Sequence, residues 1–233
     1  IVVAVAVLAL VLVLVAVVHA ALQRPTVRQA VRAALERVGL MATYQEGPVY
    51  RARIDAQRAA NPTLPEGCVV LLGDSLMEGF EASETAARGW VNRGISGDRV
   101  RHVDARLEVS VLEAPCADVA LLVGINDVQH EHTAPAEVGR DIEDLVRRIE
   151  ESGRRVFLHT LPAPEPPHEG LVGSVKELNG LLRASPEVAR RAVLVDLEEI
   201  LAPLPRRTRD GIHLTPEAYE AWTRALAKTL RPD

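Results

Sequence analysis

Two stretches of this 233-residue chain, Val69-Val70-Leu71-Leu72 and Val119-Ala120-Leu121-Leu122-Val123, are unbroken apolar runs that end in glycine. A strand with one face in water alternates apolar and polar residues, so a short continuous run closed by a turn signal predicts a strand buried on both faces. Such strands belong to parallel sheets covered by helices on either side. Further apolar runs near 90–93, 155–160 and 192–196 are separated by helical patterns, the clearest being Val138, Ile142, Leu145, Val146 and Ile149. The alternation predicts an α/β fold of three layers, α/β/α, around a parallel sheet. No internal repeat or long low-complexity tract interrupts it.

Open sheets of this class bind ligands at the carboxyl ends of their strands, so the residues that follow each run are the candidates for chemistry. After the first run comes Gly73-Asp74-Ser75-Leu76. Alone, this is equally an ordinary turn or helix cap. Its possible partners lie far along the chain, in Asp210-Gly211-Ile212-His213, where one loop can bring a carboxylate onto a ring nitrogen while the other nitrogen faces Ser75. A serine hydroxyl needs an imidazole to take its proton, and the imidazole needs an anion to hold its tautomer. Thr215-Pro216-Glu217 then signals a helix start, and Tyr219, Trp222, Leu226 and Leu230 fall on one face, so packing would fix the loop that carries His213.

Two further segments supply donors. Gly124-Ile125-Asn126-Asp127 follows the second buried run, and Asn126 can donate from its side-chain amide. In Asn92-Arg93-Gly94-Ile95-Ser96-Gly97-Asp98 the glycines allow backbone N–H groups close to a ligand. An oxyanion hole needs donors aimed where charge develops on a carbonyl oxygen. Ser75, Gly97 and Asn126 are the candidates.

These four blocks, in this order, resemble the SGNH hydrolase superfamily, also called GDSL esterases and lipases, over roughly residues 66 to 230. The stretches from Arg93 to Leu107 and from Asn126 to Thr133 resemble the platelet-activating-factor acetylhydrolase-like branch. The resemblance implies Ser75 as nucleophile, His213 as base and Asp210 as its orienter. It implies an oxyanion hole of Ser75, Gly97 and Asn126, with Gly97 preferred to Gly94 because the donor glycine precedes the aspartate of its block. Gly94 is assigned to the strand-to-loop turn. A five-stranded sheet in flavodoxin-like order is likewise implied by the resemblance, and no cofactor is.

Other readings are weaker. Ser75 has no Gly-x-Ser-x-Gly elbow, and the first strand is followed by no Walker or dinucleotide glycine pattern. His130, Glu131 and His132 make a poor zinc site without further ligands, so no metal is assigned. His159, at the end of Val156-Phe157-Leu158, reads as a hydrogen-bonded structural histidine. Asp74, Asp98 and Asp127 are expected to brace their loops through backbone hydrogen bonds. A net charge of -5, scattered basic residues and 3% aromatics speak against a nucleic-acid partner.

Residues 1 to 22 form an apolar run of membrane-spanning length, read as a retained anchor in preference to a cleaved signal peptide. Arg24, Arg28, Arg32 and Arg37 after it argue for a cytoplasmic catalytic domain. The resemblance favours the extracytoplasmic side, which is the side expected. Residues 26 to 38 and 49 to 60 look helical, so 23 to 65 are assigned to a stalk and connector and 66 to 233 to the hydrolase domain. Cys68 and Cys116 each precede a predicted strand and are read as two small buried thiols, with a bridge as the alternative. Oligomeric state is not legible.

The expected activity is hydrolysis of small-acyl carboxylic esters through an acyl-enzyme. Alternatives are a lysophospholipase or thioesterase, an O-acyltransferase acting on envelope carbohydrate, and a non-catalytic binding module. The proline- and glycine-rich segment from Leu161 to Gly173 leaves the fourth strand and is expected to border the substrate pocket.

Overall fold

The computed structural model describes residue 45 and residues 47–131 and 133–230. The anchor expected at residues 1–22 and the helix expected at 26–38 lie outside these. No helix among the described residues is long and apolar enough to cross a membrane.

Five parallel strands form the sheet: β1 (Val69–Gly73), β2 (Trp90–Gly94), β3 (Asp118–Leu122), β4 (Arg155–His159) and β5 (Ala192–Val195), in the order β2-β1-β3-β4-β5. This is the flavodoxin-like order that the family resemblance implied. β1 and β3 are buried along their whole length, which is why their sequences show no alternation. At the far edge, Val193 of β5 is half exposed.

The helices are α1 (Pro48–Ala60), α2 (Ser75–Glu78), α3 (Ala82–Ala87), α4 (Val100–Ala105), α5 (Pro135–Glu151), α6 (Val172–Ala184), α7 (Pro186–Arg191), α8 (Leu197–Leu201) and α9 (Pro216–Leu230). The β1-to-β2 connection runs outward and the β2-to-β3 connection runs back across β1, so right-handed crossovers put them on opposite faces. α5 buries Val138, Ile142, Leu145, Val146 and Ile149, the stripe read from the sequence. α9 buries Trp222, Leu226 and Leu230. The Trp222 ring packs 4.6 Å from that of Phe80, which locks α9 against the β1-to-β2 connection.

One expectation is corrected. Cys68 and Cys116 are joined in a disulfide rather than left as thiols. The cause is topological: β1 and β3 are neighbours, with Val69 opposite Asp118, so the residues just before them start side by side, and the two Cα atoms lie 4.2 Å apart. A compact unit begins at Pro48. α1 joins it because Tyr50 and Gln57 are buried.

Candidate active site

β2 and β3 leave β1 on opposite sides, and the crevice beyond the carboxyl ends of β1 and β3 is where this topology places ligands. Ser75 stands there. A Cβ on Gly73 would run into the Leu122 carbonyl, so glycine is what lets β1 end this close to β3. The chain then turns, because the Asp74 carboxylate accepts the Leu76 N–H at 2.9 Å and caps α2. Ser75 becomes the first residue of that helix, where a backbone N–H has no helical acceptor. The Tyr219 hydroxyl donates to the Leu76 carbonyl at 2.8 Å and ties α2 to α9.

His213 Nε2 lies 3.1 Å from Ser75 Oγ, and its Nδ1 lies 2.7 Å from Asp210 Oδ2. With Asp210 accepting the Nδ1 proton, Nε2 carries the lone pair that the serine hydroxyl meets. Asp210 Oδ1 also accepts the backbone N–H groups of His213 at 2.8 Å and Ile212 at 3.1 Å. Burial works to raise the Asp210 pKa, but the hydrogen bonds from His213 and Ile212 prevail and hold it at about 2. A hydroxyl, an imidazole and a carboxylate so linked are the elements of nucleophilic acyl transfer.

The donor segments converge on the same strand ends. Ile95 N–H donates to the Gly73 carbonyl at 3.0 Å. Gly97 has φ +80° in a turn closed by Asp98 N–H on the Ile95 carbonyl at 3.1 Å, a conformation that needs glycine at this position. Its own N–H has no acceptor among the described residues. Asn126 is buried, and its amide donates one proton to the Asp98 carbonyl at 2.9 Å, which leaves a second for a ligand. Gly94 serves packing instead: a Cβ there would strike the Glu78 backbone, so glycine permits α2 to lie on β2.

The buried aspartates differ among themselves. Asp127 accepts the Val100 N–H at the start of α4, and Asp74 caps α2, both as expected. Asp98 does not work through backbone N–H groups. Its carboxylate meets the Arg106 guanidinium at 2.7 Å and the Tyr50 hydroxyl at 3.4 Å. His159 is a core residue with Nδ1 3.1 Å from the Leu121 carbonyl and its ring edge-on to Trp222, and burial pushes its pKa down to about 4. No group of three metal-binding side chains occurs among the described residues, and His132 lies outside them.

Glu165 has no sequence signal. It sits in the proline-rich segment, yet its carboxylate accepts the Thr208 N–H at 2.9 Å, the Thr208 hydroxyl at 2.6 Å and Arg207 Nε at 3.0 Å. Its N–H donates to the Gly211 carbonyl at 2.9 Å. The segment from Leu161 to Gly173 therefore braces the loop that carries Asp210 and His213. Only its position after β4 was legible beforehand.

Residues 71–221 match the GDSL-like lipase/acylhydrolase family. The chain belongs to that family. It is thus an SGNH-type serine hydrolase acting on ester bonds. No curated protein matches it. Among solved structures it is similar to a GDSL-like lipase from Bacteroides thetaiotaomicron (22% identity, 77% of this chain and 97% of that one, TM-score 0.66). It is also similar to a Streptococcus pneumonia protein named for platelet-activating factor (21%, 78% and 92%, 0.66) and to the acetylxylan esterase Axe2 from Geobacillus stearothermophilus (19%, 73% and 97%, 0.58). At these identities the likeness is one of fold.

Proposed function

We propose that this GDSL-family hydrolase removes small acyl groups from esters through a Ser75-His213-Asp210 triad. The hydrogen-bonded chain from Ser75 Oγ through His213 to Asp210 carries the reading. Ser75 Oγ attacks the ester carbonyl while His213 Nε2 takes its proton, and Asp210 stabilises the imidazolium. The N–H groups of Ser75 and Gly97 and the Asn126 amide receive the charge on the carbonyl oxygen. His213 then protonates the departing alcohol. In the second half, water gives a proton to His213 and attacks the acyl-enzyme, releasing the acid and restoring the serine.

The small-acyl preference is supported by branch resemblance and by the acetylxylan esterase among the structural neighbours. Residues 1–22 serve as a membrane anchor by their length and composition. The disulfide favours an extracytoplasmic catalytic domain, because such bonds persist in oxidising compartments. A fluorophosphonate should label the protein but not Ser75→Ala, and a p-nitrophenyl ester series should peak at acetate. A maximum at long chains would replace the small-acyl reading with a lysophospholipase or thioesterase. Failure of the wild type to be labelled would remove the triad reading.

A further inference from the structure

Arg106 is fully buried, and its guanidinium reaches in three directions. Nε donates to Asp98 Oδ2 at 2.7 Å, Nη2 to the Gly73 carbonyl at 3.0 Å, and Nη1 to the Ser110 hydroxyl at 2.9 Å. Ser110 in turn donates to Gln57 Oε1 of α1 at 2.7 Å. The first two contacts lie beside the candidate oxyanion donors. Gly73 is two residues before Ser75. Asp98 is the residue after Gly97, and its carbonyl accepts Asn126 at 2.9 Å. Ser75 thus lies two residues, and Gly97 one residue, from a group that the Arg106 guanidinium holds, and Asn126 is joined to Asp98 by one further hydrogen bond.

Stability gives little reason to keep such a group. Desolvating two charges offsets most of what their attraction returns, and apolar replacements of buried ion pairs are often neutral or stabilising. Geometry gives a better reason. An oxyanion hole works only when its donors are fixed before the charge appears, and a misplacement of about 1 Å can cost about 100-fold in rate. The guanidinium is rigid and presents its N–H groups in a fixed fork, whereas lysine offers one mobile ammonium.

We propose that Arg106 is the positioning residue of the oxyanion hole, setting the separation between the strand end that presents Ser75 and the loop that presents Gly97 and, through Asp98, Asn126. The inference rests on the triad reading above. It also gives α1, which precedes the family match at residues 71–221, a part in the site: Gln57 holds Ser110, and Tyr50 holds Asp98.

The test compares the full chain with Arg106→Lys and Ser110→Ala on p-nitrophenyl acetate. Active sites are counted by fluorophosphonate labelling taken to completion, so that misfolded protein drops out of the rate. Donors that act on the transition state change kcat more than KM. In Arg106→Lys, kcat per labelled site should fall about 100-fold, with KM within about threefold of wild type. Ser110→Ala, which keeps the contacts to Asp98 and Gly73, should lower kcat per site by a few fold. A wild-type kcat per labelled site in Arg106→Lys would overturn the proposal, whatever the change in melting temperature. Should that variant yield no folded protein, an unchanged kcat per site in Ser110→Ala would do the same. An unlabelled, inactive wild type would remove the triad reading and this inference together, whereas an active wild type with an indifferent Arg106→Lys removes only the inference.

Discussion

His213 Nε2 and Ser75 Oγ meet at 3.1 Å although 138 positions separate them in the chain. The serine is placed by the end of β1 and its cap, and the histidine by a loop anchored between Glu165 and α9. The two anchors are joined, because the Tyr219 hydroxyl of α9 donates to the Leu76 carbonyl at 2.8 Å and Trp222 packs on Phe80, so the contact is preformed by packing that holds both partners.

The carboxylate behind the imidazole should matter for both rate and acid stability. Asp210→Asn removes the acceptor that fixes the tautomer with its lone pair on Nε2, and kcat should fall by about 1,000- to 10,000-fold with little change in KM. The Asp210 pKa is held at about 2 against an ordinary 3.8, so in the wild type it contributes stability above pH 3.8 that is lost as pH falls toward 2. Acid unfolding followed by circular dichroism should show that loss in the wild type and a shallower acid limb in Asp210→Asn. An equal acid limb in the two proteins would mean that Asp210 titrates normally.

The disulfide should be a large part of the stability of the compact unit. It closes a loop with a sequence separation of 48, for which the chain-entropy account gives about 4 kcal/mol at 25 °C. The double substitution Cys68→Ser, Cys116→Ser should lower the urea midpoint accordingly, and reductant should do so in the wild type only. Activity of the fraction still folded should persist, because Cys68 and Cys116 lie at the amino ends of β1 and β3, and Ser75 follows the carboxyl end.

Much of the fold was legible because the central strands are buried on both faces, which forces unbroken runs such as Val69 to Leu72. Strand order was not, since nothing local records which strands are neighbours, and only the family resemblance implied it. The Cys68–Cys116 bond was misjudged for that reason: pairing follows once β1 and β3 are known to be adjacent. In the site, the spacing of Asp210 and His213 revealed their partnership. Arg106 and Glu165 gave no such hint. Each is an ordinary charged residue in its own segment, and each acquires its role from acceptors or donors supplied by remote parts of the chain.

The most unusual group beside Ser75 is Asp74, and its protonation sets the last expectation. It is fully buried, one carboxylate oxygen accepts the Leu76 N–H, and the other has no partner among the described residues. Burial pushes its pKa up to about 8, the Leu76 hydrogen bond opposes this, and the nearby Asp98 and Asp127 charges add to the rise. At neutral pH the carboxyl is therefore mainly neutral. That suits its position, since an anion adjoining the Ser75 N–H would oppose the charge developing on a substrate oxygen there. The unfolded chain releases this proton near 3.8 and the folded chain keeps it to about 8, so the folded state binds more protons throughout that window. Stability from this group is therefore present below pH 3.8 and is lost as pH rises toward 8. Asp74→Asn keeps an acceptor for Leu76 and cannot ionise. Melting curves from pH 5 to 8 should show the wild type losing stability relative to Asp74→Asn as pH rises, and a difference that stays constant would mean that Asp74 is already ionised at pH 5.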